Sequence, residues 1–374
     1  MAPNLIGSSA LFLAEATSTD NTELSTKSKH QPQTQVVKPI PPSIYPKYKW
    51  NVVWRNVIAF LYLHIAGLYG FYLILFVCSW KTTVWTILYA FIAGQGITAG
   101  AHRLWAHRSY KAKLPLRIIL MICQTAAFQN HIYEWVRDHR VHHKFTDTDA
   151  DPHNASRGFF FSHIGWLMLK KHKDVMVKGK TVDMSDIEAD PVVRFQRFMF
   201  DTAIIHPVVF WNENAWISWY AAGIFRYTIS LNFTWLVNSA AHIWGTKSYD
   251  KSIKPTENVY VAIAAFGEGW HNYHHVFPWD YKAAELGDYS LNPSTMIIDF
   301  FAKIGWAYDL KTVSLDMIER RVKRTGDGTR KSKCINTEES VIGDYCQHNE
   351  IWGWGDKDMT TEDIEDVKIL NKLE

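Results

Sequence analysis

At 374 residues the chain is long enough for one substantial domain or two small ones. Its hydrophobic share of 47% is ordinary for a soluble protein, yet the apolar residues gather into a few long blocks with Lys, Arg and His collected between them. A formal net charge of +3, without a compact basic stripe bearing stacking aromatics, argues against a nucleic-acid partner.

Residues 1–45 are rich in Ser, Thr, Gln, Asn and Pro. Their one apolar run, Leu11 to Ala14, is too short for a signal-peptide core, so a disordered cytosolic tail is expected. Residues 46–101 read as a first transmembrane hairpin. Val57 to Cys78 is a run of 22 residues without Asp, Glu, Lys or Arg, which as a helix reaches about 33 Å and covers a bilayer core. After Ser79, Trp80, Lys81 and Thr82 comes a second uncharged run of 19, Thr83 to Ala101. A buried soluble hairpin is the alternative, and two such runs so close together favour the membrane.

From His102 to Arg197 the chain turns polar and carries sixteen Lys and Arg. Residues 198–245 read as a second hairpin, built from Phe198 to Trp211 and Ala215 to His242 around Asn212, Glu213 and Asn214. Residues 246–320 form a further cytosolic region, and 321–374 a C-terminal tail that is acidic from Glu350 onward. The expected fold is therefore an all-α integral membrane protein with four transmembrane helices and a cytosolic helical cap. Both termini and the basic 102–197 region share one side, which the positive charge makes cytosolic, since the opposite loops hold only Lys81. The four cysteines, Cys78, Cys123, Cys334 and Cys346, lack metal-site or disulfide-framework spacing, as suits a reducing compartment.

Three patterns are set aside. Gly94 to Gly100 imitates a nucleotide fingerprint, but it has one residue too many and lies within a span, where small residues allow close helix packing. Asp147, Asp149 and Asp151 begin like a calcium loop, but Pro152 and Gly158 replace its required Gly and Glu. Asn154 heads a glycosylation sequon that falls in the cytosol and is expected to be unused.

Histidine carries the chemistry. Three clusters stand out: His102 with His107, His139 with His142 and His143, and His271 with His274 and His275. All three fall on the same membrane face. Spacings of i, i+3 and i+4 put the second and third clusters each on one helix face, aimed at one place. His102 and His107, five apart, diverge by about 140° on an α-helix. They either straddle a frayed helix end or reach around two adjacent metal ions. His242, with Asn238 one turn earlier, is a further candidate. So many imidazoles exceed one tetrahedral site and fit two metals such as iron, copper, nickel or zinc. Lone histidines (His64, His131, His153, His163, His172) are expected to be packed or hydrogen-bonded. An imidazole-rich site with open positions beside a membrane suits oxidation of an unactivated C–H bond in a lipid chain. Ferritin-like scaffolds need paired Glu-x-x-His motifs, and only Glu268 to His271 fits that pattern.

At these residues the chain resembles the membrane acyl-CoA desaturase family of the stearoyl-CoA desaturase type, from about Trp54 to Thr325. The matching strings are Gly100 to His107, Trp135 to His143, Asp149 to Asn154, Asn238 to His242 and Gly267 to His275. Arg324 to Gly328 and Trp352 to Trp354 resemble the insect branch. The resemblance implies two iron ions held by His102, His107, His139, His142, His143, His242, His271, His274 and His275, with Asn238 reaching a metal through water. It implies a long-chain acyl-CoA substrate, O2, residence in the endoplasmic-reticulum membrane, and electrons from a cytochrome b5-type donor with its NADH-dependent reductase. Residues at the CoA end correspond to Asn56, Asn130, Arg137, Asp138, Lys170, Lys171 and Trp235, while Trp135 and Thr234 correspond to the bend of the acyl tunnel. Delta-9 cis desaturation is the default, with delta-11 or other pheromone-type regiochemistry as the alternative.

Other readings are hydroxylation or further desaturation, a catalytically dead scaffold, and a zinc-dependent hydrolase. One departure from the family stands out: Phe198 to Trp211 reaches only about 21 Å as a helix and carries Asp201, His206 and Pro207, each awkward in lipid. A third span this short is expected to strain the fourth helix, loosen His242 and Trp235, and weaken the enzyme.

Overall fold

The computed structural model describes residues 50–196, 205–285, 289–330 and 350–373. The expected N-terminal tail (1–45), residues 198–204 of the third apolar stretch, Cys334 and Cys346 lie outside them.

Helix α1 is Trp54–Phe76, and α2, Trp80–Gln95, runs without a break into a π-helical stretch, Gly96–Ala106. Ser79 starts α2 by accepting from Thr82 N at 3.3 Å. The two continuous helices, 23 and 27 residues long, are each long and apolar enough to cross a membrane. Ile58, Leu61, Ile65 and Leu68 of α1 and Val84 and Ile87 of α2 are exposed, a contiguous apolar surface that suits lipid rather than water. Phe60, Leu63, Ala93 and Ile97 turn inward to the core.

The 102–197 region is less uniformly polar than its charge suggests. It contains α3, Leu114–Ala127, whose Leu116, Leu120 and Met121 are buried while Ile118, Ile119 and Ile122 are exposed. A Cβ at Gly96 would stand 2.0 Å from Gln124 N, so that glycine is what lets α3 lie against the π stretch. Helix α4, Ile132–Lys144, carries the second histidine cluster. Shorter helices follow: α5 (Phe159–His163), α6 (Lys173–Gly179), α7 (Ser185–Ala189) and α8 (Pro191–Gln196).

Beyond the undescribed residues, α9 is Ile205–Trp211. Helix α10, Ala215–Ser218, then passes through a second π stretch, Trp219–Phe225, into α11, Arg226–Asn238. This run from Ala215 to Asn238 reaches about 36 Å, but it carries Arg226, Thr228, Asn232 and Asn238 and is less apolar than a lipid-facing span. Buried Arg226 donates to Ala222 O at 3.0 Å and Ala126 O at 3.1 Å, and its guanidinium lies over the Tyr89 ring. Among the described residues, two helices rather than the expected four meet both the length and the apolarity of a span.

In the turn between α9 and α10, Glu213 Oε2 accepts from Ser79 N at 3.2 Å, from Ser79 Oγ at 2.9 Å and from Thr82 Oγ1, in the turn between α1 and α2. The two turns are thereby clasped together. The remaining helices are α12 (Ala240–Ile243), α13 (Val259–Ala264), α14 (His271–Val276), α15 (Pro293–Lys303), α16 (Leu315–Thr325) and α17 (Thr361–Glu365). The fold is not wholly α. Strands β1 (Lys111–Ala112) and β2 (Ala307–Tyr308) pair antiparallel, as do β3 (Leu310–Val313) and β4 (Val367–Leu370).

Candidate metal centre

The first cluster explains the π stretch. His107 N donates to His102 O at 3.1 Å, an i→i+5 bond, and this wider winding brings residues five apart onto one face. The rings of His102 and His107 consequently sit with centroids 4.7 Å apart. The five-residue spacing is a π-helical signature, neither a frayed end nor a reach around two ions.

Nine histidines converge in two groups, within each of which the ligand atoms lie inside 4.8 Å of one another: His102, His107, His139, His143 and His274 in one, and His142, His242, His271 and His275 in the other. The expectation that each i, i+3, i+4 cluster aims at one place is therefore corrected. Helix α4 sends His139 and His143 to the five-imidazole group and His142 to the other, whereas α14 sends His271 and His275 to the four-imidazole group and His274 across. The i and i+4 side chains lie almost above one another, while i+3 sits to the side, so one helix serves two neighbouring points.

Within the groups the Nε2 atoms face one another. The separations are 3.0 Å for His102–His274, 2.9 Å for His107–His139, 3.2 Å for His143–His274, 3.0 Å for His242–His271 and 3.1 Å for His271–His275. Two nitrogens bound at right angles to one ion at about 2.1 Å would stand about 3.0 Å apart, and tetrahedral angles would open this to about 3.4 Å. The observed spacing fits sites of more than four positions.

The outer ring nitrogens set the tautomers. His102 Nδ1 lies 2.8 Å from Glu268 Oε2, His142 Nδ1 2.9 Å from Asp151 Oδ1 and His242 Nδ1 3.4 Å from Asp147 Oδ2, while His107 Nδ1 donates to the Trp352 carbonyl. A proton held at Nδ1 leaves Nε2 as a bare lone pair, the form that binds metal. Burial, reinforced by the neighbouring imidazoles, holds His107, His139, His143, His271, His274 and His275 well below the usual histidine range and keeps them neutral. Burial acts the same way on His142, but the Asp151 carboxylate outweighs it and raises that ring. Lone pairs packed at these distances repel unless a cation sits among them, so the donor set fits two metal ions.

Some contributors were not legible as such in the sequence. Glu268 also binds Arg103, at 3.0 and 2.8 Å. The failed calcium-loop pattern supplies Asp147 and Asp151 as acceptors for metal-facing histidines. His153, expected to be a packed or hydrogen-bonded histidine, packs its ring at a tilt against His142 with centroids 4.4 Å apart and lies 3.4 Å from Asp151. The remaining lone histidines behave as expected where their contacts are plain: His64 Nδ1 donates to Phe60 O at 2.7 Å, and His163 sits between Ser239 and Asn232.

An apolar cavity ends at the centre. Ile97, Trp135, Phe233, Thr234 and Val237 line it, and His102, His139 and Asn238 stand at its metal end. Asn238 Nδ2 is buried without a hydrogen-bond partner, as are the indole N–H groups of Trp135 and Trp235. Trp135 stacks on His139, with centroids 4.9 Å apart. Thr234 Oγ1 accepts from Gln129 Nε2 at 3.0 Å, and Gln129 is a lining residue the sequence did not single out.

Of the remaining sequence candidates, Asp138 accepts from Arg137 at 3.0 Å and from Lys171 at 2.5 Å. Burial opposes ionisation there, but the two cations keep the carboxyl below its usual range. Lys170 is exposed, Asn56 Nδ2 donates to Leu167 O at 2.8 Å, and the Asn130 carbonyl accepts from Gln124 Nε2 at 2.8 Å. Asn154, buried and donating to Thr148 O at 2.7 Å, is closed to glycosylation in the folded chain. Two further candidates lie on the fourth stretch. Trp235 is fully buried against Phe60, and His242 is held by both His271 and Asp147.

The sequence profile of the fatty acid desaturase family matches residues 79–284, more than half of the chain. The chain belongs to the fatty acid desaturase family. Its relatives include an acyl-CoA Delta-9 desaturase of Acheta domesticus, 59% identical over 333 residues that cover 86% of this chain and 87% of the relative. An acyl-CoA Delta(11) desaturase of Spodoptera littoralis is 53% identical over 86% of this chain and 91% of its own length. An acyl-CoA Delta-12 desaturase of Tribolium castaneum is 52% identical over 88% and 94% respectively. The protein is thus a desaturase, an oxidoreductase of lipid metabolism, and its family together with its two helices long and apolar enough to cross a membrane fits a membrane protein. Similar identities to enzymes of three regiochemistries leave the double-bond position undetermined by relatedness alone.

Proposed function

We propose that this desaturase introduces a cis double bond into a saturated long-chain fatty acyl-CoA, at delta-9, using two iron ions. The observation that carries this reading is the junction of an apolar cavity with a buried nine-imidazole centre. A chain threaded past Trp135 and Thr234 brings one methylene pair beside His102 and His139 and keeps its neighbours out of reach. Bound iron would supply the O2-activating, C–H-oxidising power that no side chain has. Two hydrogens leave the acyl chain, and O2 with two electrons and two further protons becomes two waters.

Arg137 and Lys171 are cations suited to CoA phosphates, with Asn56, Asn130, Asp138, Lys170 and Trp235 as further contacts at that end. Metal ligation is assigned to the nine histidines, with Asn238 acting through water. The electrons come from outside the chain, whose sequence shows neither a nucleotide fingerprint nor a haem motif, and the resemblance to the stearoyl-CoA desaturase type makes a cytochrome b5-type protein with its NADH-dependent reductase the donor. The protein lies in the endoplasmic-reticulum membrane with four spans, the two beyond α2 formed by 198–211 and 215–242, and with its centre and both termini cytosolic. The clasped turns around Ser79 and Glu213 support a common luminal end. A delta-11 product is the second reading, supported by the Delta(11) relative.

Expression in a desaturase-deficient yeast, followed by mapping of double-bond positions, tests the proposal. Delta-9 monoenes are expected. Mainly delta-11 products would replace the regiochemistry alone, and failure of an iron-loaded chain to form any double bond would sink the function.

A further inference from the structure

The chain returns to the metal centre near its C-terminus. Trp352 is buried, with its ring against the guanidinium groups of Arg108 and Arg140 at 4.9 and 4.1 Å. Its carbonyl accepts from His107 Nδ1, and Trp354 N donates back to the His107 carbonyl at 2.9 Å. Between these two bonds, Gly353 has a φ of 155°, and a Cβ there would stand 2.5 Å from the His107 carbonyl oxygen and 2.6 Å from its Cα. Neither the backbone conformation nor the space admits a side chain.

The same segment is tied to the helix bearing the second cluster. Trp352 N donates to Asp356 at 2.9 Å, Asp356 pairs with Lys144 at 2.9 Å, and Glu350 accepts from Thr146 N at 3.1 Å. Downstream, β4 pairs with β3 and closes the loop back onto the body of the protein.

We propose that residues 350–358 are a positioning strap for the five-imidazole site, in which the Trp352 carbonyl fixes the tautomer and orientation of His107. Of the nine metal-facing histidines, His102, His142 and His242 have a carboxylate beside Nδ1, whereas His107 has a peptide carbonyl delivered from 245 residues away. A carbonyl accepts but carries no charge, so it biases the proton to Nδ1 without adding an anion to the site. Losing such an outer partner lowers metal affinity by about 10- to 100-fold. The inference rests on the two-iron reading above and adds that the five-imidazole half is completed by the C-terminal segment.

The test compares Gly353→Ala with Gly355→Ala in the purified full chain. Gly355 shares the strained backbone, with a φ of 83°, but a Cβ there would meet only the tip of the Arg108 side chain at 3.3 Å. Gly353→Ala is expected to fall from two irons per chain towards one, with one of two Mössbauer environments lost, while Gly355→Ala keeps both. Should Gly353→Ala fail to fold, Trp352→Ala adds no strain and is expected to release about half of its iron to a chelator roughly 10-fold faster than the unmodified chain. Retention of both irons at the unmodified release rate by whichever of the two variants folds overturns the strap. An unmodified chain that binds no iron overturns the two-iron reading along with it.

Discussion

The five-imidazole and four-imidazole groups share helices α4 and α14 but are finished differently, the first by the π stretch with His102 and His107 and the second by α12 with His242. In the first, His102, His107, His139, His143 and His274 are all buried, and the outer partners are Glu268 and the Trp352 carbonyl. In the second, His275 is only half-buried, there is one nitrogen fewer, and Asp147 and Asp151 lie outside it. Asn238, one turn before His242 and aimed into the cavity without a partner, stands where the missing ligand would be. The comparison teaches that the cavity meets the five-imidazole group through His102 and His139, whereas the four-imidazole group, one nitrogen short, would leave a bound ion room for a further ligand such as water.

The harshest test removes a ligand. Replacing any one of the nine histidines by Ala should abolish desaturation, measured as unsaturated product in yeast membranes, because the remaining imidazoles cannot hold the geometry. His172→Ala, which lies outside both groups and loses the cap of α6 and a ring contact with Trp50, should cost about 1 kcal/mol of stability and keep activity. Two active mutants among the nine would break the two-group picture.

A smaller loss separates the outer partners. Glu268→Gln removes the charge beside both His102 and Arg103, and Asp151→Asn weakens the hold on His142. Each should lower iron affinity by about 10- to 100-fold, with the loss at the five-imidazole site for Glu268 and at the four-imidazole site for Asp151. Mössbauer spectra of the two variants should therefore lose different components, and identical losses would merge the groups.

Asn238→Ala sharpens the contrast further. It should keep both irons yet lower turnover by about 10-fold, since a water held by Asn238 would orient the exchangeable position without being a protein ligand. Iron loss equal to that of His242→Ala would make Asn238 structural instead.

Much of this site was legible in the sequence because ligand identity is a matter of residue type and local spacing. All nine histidines and the first two apolar spans could be read that way. The division of each cluster between two ions could not, because i, i+3 and i+4 side chains share a helix face and only tertiary neighbours decide which points where. The π winding was visible in the five-residue spacing of His102 and His107, but it looks anomalous when an α-helix is assumed. The acceptors Asp147, Asp151 and Glu268 and the carbonyl of Trp352 are separated in sequence from most of what they hold. The run from Ala215 to Asn238 is less apolar than the first two because some of its polar residues turn inward, Arg226 donating to Ala222 O and Ala126 O and Thr228 to Leu63 O.

The mildest prediction concerns Lys311, on β3 under the Trp354 ring at 5.4 Å. It therefore lies beside the strap. Burial pushes its amine down to about 8 from the ordinary 10.5, so between those values the unfolded chain binds more protons than the native one. Stability contributed here rises as pH climbs from about 8 to 10.5, and below that window the cost of burying an ammonium is felt in full. Lys311→Met removes that cost, and with it the bond from Nζ to Asp309 O at 3.3 Å, for a net gain on the order of 1 kcal/mol at neutral pH. Thermal melting of the detergent-solubilised protein should show a higher Tm for the variant at pH 7 and convergence of the two curves near pH 10. An unmodified chain whose Tm does not respond to pH across that window would mean that Lys311 reaches water in the folded state.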